Sequence, residues 1–139
     1  MNRPTVHFEF AGDRTQFRVL YENGDTETLV MTNVGPELFR LEESSFLGDA
    51  VYGDVIRCKP AEDCSLVFEK IVERSKLTTQ SWIFSRELLA TDRIRSILDS
   101  VMEAGGMWEQ AFGGWLSVHT PPEIADAIRE RLGNASPES

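Results

Sequence analysis

Apolar residues change their period partway along this chain, and that change restricts its fold more than any other feature. Before about residue 76 they alternate with polar residues in short runs: Val6, Phe8 and Phe10 against His7 and Glu9, then Phe17, Val19 and Tyr21. Alternation sends successive side chains to opposite faces of an extended backbone, so each run reads as a half-buried strand. Asn23-Gly24 follows the second run and predicts a two-residue hairpin, since a type I′ turn needs positive φ at both central positions. The strand returns through Leu29 and Val30. Further strands are expected at 38–41, in the VIRC run after Gly53-Asp54, and at 66–72. Several short strands without a helix between them predict a small barrel or a strongly bent sheet.

After about residue 78 the pattern changes. A strand is expected over 79–85, then a helix opened by Thr91 or Asp92, either of which can cap its first turn. Ile94, Ile97, Leu98, Val101 and Met102 recur at helical spacing, and Gly105-Gly106 supplies the left-handed backbone that ends such a helix. Residues 107–119 predict a hairpin across a two-residue Gly113-Gly114 loop. Thr120-Pro121-Pro122-Glu123 combines a capping-box spacing with proline at the first helical position. Ile124, Ile128 and Leu132 form the stripe of this last helix, and Gly133 is expected to stop it. The order β-α-β-β-α is five of the six elements of a ferredoxin-like sandwich; the sixth strand is expected from the first half. The expected class is therefore α+β: a strand-rich, barrel-like part over 1–76, a ferredoxin-like part over 77–133, and a flexible tail over 134–139.

Charge narrows the function. Among 139 residues, 14 are Lys or Arg and 23 are Asp or Glu, giving a net charge of −9, and both halves carry more acids than bases. Without a local basic cluster such a chain repels a phosphate backbone, which argues against nucleic acid and fits a basic protein partner or a homo-oligomer. The start, MNRPTVHFEF, lacks the charged-then-apolar run of a signal peptide, and no apolar run nears the ~20 residues that cross a bilayer. The cytoplasm is the expected compartment, with no membrane contact. Cys58 and Cys64 match neither a zinc spacing nor a redox pair, and Cys58 reads as filling a strand position.

The stretches FRLEESSFLGDAVYGDVIRC and LVFEKIVERSKLTTQSWIF carry a resemblance. Phe46, Tyr52 to Val55, Val72 to Ser75 and Thr79 are similar to the short motifs of a bacterial family of domains of unknown function, the one numbered 4265, across about residues 38–132. The resemblance implies the same succession of strands, helix and glycine-containing turn, and it implies no activity. Lys76 stands where that family usually has glycine, so the turn there must differ if the glycine serves an unusual backbone angle.

No phosphate-binding glycine loop, zinc-protease motif or nucleophile elbow is present. Two histidines far apart exclude a histidine-rich metal site and leave only carboxylate sites conceivable; no metal, cofactor or catalytic residue is assigned. Glu42-Glu43 and Glu62-Asp63 read as solvated loop pairs. Asp54 is expected to bond the amides of its own turn, or else to present a carboxylate at a barrel rim. Arg74 is expected to pair with an acid, or else to clamp an anion. In the 107–119 hairpin, the two-residue loop sets Phe112 opposite Trp115, Gln110 opposite Ser117 and Trp108 opposite His119, all on one face. Trp82 adds the third tryptophan. Trp82, Trp108, Trp115 and His119, with Arg74 and Asp54, are thus the candidate partner- or ligand-binding residues. The aromatic face reads first as core or interface, and otherwise as a small-molecule pocket at the junction of the halves. The expected function is a non-enzymatic protein-binding module that neutralises or regulates a basic partner. The alternative is a sensor or enzyme using the cleft between the halves.

Overall fold

A computed structural model describes residues 14–135, so the strand expected at Val6, Phe8 and Phe10 lies outside the described residues. The fold is α+β, and the chain divides into two compact units between Ser75 and Lys76.

The first unit is a five-stranded meander: β1 (Arg14–Leu20), β2 (Thr26–Gly35), β3 (Leu38–Leu41), β4 (Val55–Pro60) and β5 (Leu66–Glu73). Each strand runs antiparallel to the next, and the sheet closes into a barrel. With an odd number of strands in a meander the first and last point the same way, so closure must be parallel. Val19 accordingly lies beside Leu66 and Leu20 beside Val67 in a parallel pair. Val19, Leu29, Met31, Phe39, Leu41, Ile56, Cys58 and Leu66 fill the interior. Phe17 meets Phe39 edge-on at 5.1 Å between ring centres. Burial pushes the Cys58 thiol up to about 12, which leaves it an inert apolar filler.

The β1–β2 turn differs from the sequence expectation. Tyr21 donates its amide to the Asp25 carbonyl, so three residues form the loop, and only Gly24 has positive φ, +93°. A type I turn closed by one left-handed residue serves a three-residue loop, which spares Asn23 the strained angle.

The second unit runs β6 (Thr78–Ile83), α1 (Arg86–Leu89), α2 (Asp92–Glu103), β7 (Met107–Ala111), β8 (Trp115–Thr120) and α3 (Pro122–Ala135). The sheet order is β6-β8-β7, all antiparallel. The short α1 has no helical period to betray it; Ser85 caps it by accepting from the Leu88 amide at 3.1 Å. Thr91 caps α2, and Gly105 and Gly106 close it by donating to Met102 and Val101, with Gly105 at φ +92°. Met102, expected on the apolar stripe, is exposed.

Two expectations about α3 fail. Thr120 ends β8 instead of capping, and its buried hydroxyl has no hydrogen-bond partner; Ile124 donates its amide to the Pro121 carbonyl. Gly133 does not stop the helix, which continues to Ala135. Ala135 is buried in the same core as Leu132, and that burial offsets the ~1 kcal/mol that an interior glycine costs. Of the tail expected from 134, Asn134 and Ala135 are helical, and 136–139 lie outside the described residues.

Candidate functional site

The register of the β7–β8 hairpin decides what the second unit displays. Ala111, not Phe112, lies opposite Trp115, and Trp108 lies opposite Val118. Three residues form the loop, with Phe112 at φ +55° and Gly113 at +82°. A two-residue loop would have shifted the pairing by one, and a shift of one turns every side chain of a strand to its other face. The expected common row of Trp108, Gln110, Phe112, Trp115, Ser117 and His119 therefore does not exist. Trp108 shares the helix-covered face with Leu116, Val118 and Trp82. Trp82 stacks near Phe84 at 6.4 Å, and the Arg95 guanidinium sits 5.3 Å over the Trp108 ring. These two tryptophans are packing residues; Trp115 and His119 alone of the expected row stay on the other face with Ser117.

That helix-free face carries Thr79, Ser81 and Ile83 of β6, Trp115, Ser117 and His119 of β8, and Met107, Glu109 and Ala111 of β7. Its character changes along its length. At one end the fully buried His119 holds Thr79 Oγ1 at 2.8 Å through Nδ1 and Glu109 Oε2 at 2.6 Å through Nε2. An ionised carboxylate only accepts, so it is Nε2 that donates to Glu109. Ser81 and Ser117 bond each other at 3.0 Å in the middle, and Trp115 Nε1 donates to Ser117. At the hairpin end the face turns apolar, with Ile83 78% and Trp115 44% exposed, and Phe112 of the adjoining loop is 81% exposed. Sequence reasoning found His119 and Trp115 but missed Thr79, Glu109 and Ile83. Their signal was present, because β6 alternates too, yet pairing partners forty residues apart are not written in either strand.

The first unit holds the other two candidates, and it joins them. Asp54 is fully buried; its Oδ2 accepts from the Val51 amide at 3.0 Å and from Arg74 Nη1 at 2.9 Å, and its Oδ1 accepts from the Ser75 amide at 2.6 Å. Arg74 also donates to the Asp49 carbonyl. Gly53, at φ +89°, lies so close to Ser75 that an added Cβ would stand 2.8 Å from its hydroxyl. The YGD and ERS stretches thus form one clasp between the β4 entrance and the β5 exit. Arg74 and Asp54 are engaged with each other and with backbone, as the bland expectation for each had it. Lys76 has no positive φ, so the turn after Ser75 needs no glycine.

A second polar knot ties the loop before β4. Glu27 accepts from Tyr21, from Ser45 and from the Phe46 amide, and Ser45 accepts from Gly48. Burial, then the bond to Glu27, raises the Tyr21 phenol above its usual range. The Glu42-Glu43 pair is engaged rather than solvated: Glu42 accepts from Thr32 Oγ1 at 2.7 Å and Glu43 from the Val30 amide at 2.8 Å. These carboxylates tie the turn that follows β3 to the middle of β2. Among the described residues no three histidines, cysteines or acids gather as a metal site.

The fold thus defines a class: an α+β protein with a closed five-stranded barrel in its first unit and β-α-β-β-α elements in its second. No protein-family model matches the chain and no curated protein is similar to it, so the likeness to the family numbered 4265 stays at the level of short motifs. Among solved structures, one described as a novel crystal structure of a hypothetical protein from Neisseria gonorrhoeae is similar, with a TM-score of 0.55. The two share 18% identity over 87% of this chain and 85% of that one. At that identity the likeness concerns the fold.

Proposed function

We propose that the protein acts by protein contact, binding a basic partner through the helix-free face of its second unit. The observation that supports this reading is the apolar corner of Ile83, Phe112 and Trp115 on a chain of net charge −9. Large exposed side chains at one edge of an otherwise polar face are what a partner's apolar anchor requires, and the acidic balance steers a basic partner toward it. The motif resemblance to the family numbered 4265 is consistent with this reading and adds no activity to it. The test is affinity for a captured basic protein at low and high salt, with wild type and with a Phe112→Ser, Trp115→Ser double variant. Affinity falls as salt rises, and the double variant loses about 2 kcal/mol or more, roughly thirtyfold in Kd. Affinity indifferent to both changes removes the reading.

A second reading has its own observation in the Thr79–His119–Glu109 line. A hydroxyl on an imidazole whose far nitrogen is held by a carboxylate is the arrangement that activates a nucleophile, recognised by roles rather than by order in the chain. Here the carboxylate sits on Nε2 and the hydroxyl on Nδ1, with Thr79 exposed, Glu109 partly so and His119 buried between them. On this reading the protein cleaves an activated acyl ester such as p-nitrophenyl acetate, and Thr79→Val abolishes the cleavage while Ser81→Ala does not. An unchanged rate in Thr79→Val sinks it.

A further inference from the structure

The outer edge of β6 is built to receive another strand. In the sheet order β6-β8-β7, β8 is central, and among the described residues β6 has a strand on one side only. A complete ferredoxin-like sheet carries a further antiparallel strand at that place. The register shows which backbone groups await it. Phe84 donates its amide to the Gly114 carbonyl, so Phe84 and Gly114 form a hydrogen-bonded pair. Such pairs alternate along an antiparallel ladder; Trp82, Gln80 and Thr78 therefore turn inward to β8. Thr79, Ser81 and Ile83 turn their amides and carbonyls outward, and all three are exposed. The close side-chain bonds Thr79–His119 and Ser81–Ser117 agree, since facing residues approach most closely at the non-hydrogen-bonded positions.

Native edge strands are protected by charges, prolines or bulges. β6 reads TTQSWI, has none of these residues, and pairs with β8 without a register shift. The opposite edge, β7, carries Glu109. The barrel has closed its own edges.

We propose that the outer edge of β6 pairs antiparallel with β6 of a second copy of this chain, about a two-fold axis at Ser81. The pairing sets Ser81 against Ser81 of the copy and Thr79 against its Ile83, a β-branched pair, with Gln80 against its Trp82. It forms about six backbone hydrogen bonds and makes one continuous sheet of order β7-β8-β6-β6-β8-β7. A second copy is the occupant because β6 is free of charge in a chain of net −9. It offers a foreign strand no charge to read, and it is the segment where two such chains meet without opposing like charges along the seam. The contact is isologous, so each copy spends its β6 edge and assembly through that edge stops at two. The inference concerns the edge of the sheet, and the partner-binding reading, which shares Ile83 with it, is tested at Phe112 and Trp115, so either can fail alone.

Sedimentation of the full chain over a concentration series, with amide exchange read by NMR, tests it. The expected result is a dimer in which the Thr79, Ser81 and Ile83 amides exchange as slowly as those of Thr78, Gln80 and Trp82. Ser81→Pro removes only an outward amide, which the ladder to β8 does not use, and Ser81→Lys sets two like charges across the axis. Both give monomers with unchanged far-UV circular dichroism and fast exchange at the three outward amides; if the proline variant loses its fold, the lysine variant decides. A monomeric wild type overturns the proposal. So does a dimer that survives Ser81→Lys, or one whose outward amides exchange freely, since it uses another surface.

Discussion

A single carboxylate shows how much one side chain holds in this protein. Asp54 is fully buried and accepts from two backbone amides, while its partner Arg74 is 60% exposed. The two ends of the ion pair are therefore unequal. Removing Arg74 leaves the amides satisfied and forfeits a pair that water already screens, so Arg74→Ala costs under ~1 kcal/mol. Asp54→Asn turns an amide donor toward at least one of the groups that now donate to Asp54, and strands it. That variant loses about 2–3 kcal/mol, read as a lower urea midpoint with an unchanged slope; equal losses in the two variants would contradict this division. The chemistry of Asp54 and Arg74 was legible in the sequence, since an Asp after a turn glycine bonds that turn and a lone Arg in an acidic chain finds an acid. That they find each other, twenty residues apart, was not.

At the scale of elements, the strands and the two long helices follow from local pattern, and the hairpin loops do not. Both glycine-marked turns were expected with two residues and have three. For β1–β2 the difference is harmless, because Phe17, Val19 and Tyr21 still face the barrel interior. For β7–β8 it is decisive. Both faces of that hairpin carry apolar residues, so hydrophobic pattern cannot choose the register. Packing chooses it: Leu116 and Val118 meet Trp108 under α2, and the cluster of tryptophans expected from a two-residue loop is divided between the faces. The missed α1 has the same origin. One turn of helix has no period to display, and the Ser85 cap becomes visible only once the chain is seen to bend there.

For the whole molecule, net charge separates the two kinds of association inferred above. A complex between this acidic chain and a basic partner weakens as salt rises, because screening removes an attraction. A dimer of two chains of net −9 each strengthens as salt rises, because screening removes a repulsion while the uncharged β6 seam is unaffected. Sedimentation and partner titration from low to high salt should therefore move in opposite directions. If both fall with salt, the self-contact lies on a charged surface and not on β6.

The sequence by itself determined the α+β class, the strand-rich first half, the β-α-β-β-α second half, and the start of α2 at Thr91 and its end at Gly105. Each of these rests on periodicity or on backbone preferences within a few residues. Only the tertiary structure decided the hairpin register, the closure of the barrel by a parallel pair, and the meeting of Asp54 with Arg74 and of Thr79 with His119 and Glu109. Those depend on which segments lie side by side, and side chains distant in the chain become neighbours through the sum of all packing contacts, which no local pattern contains.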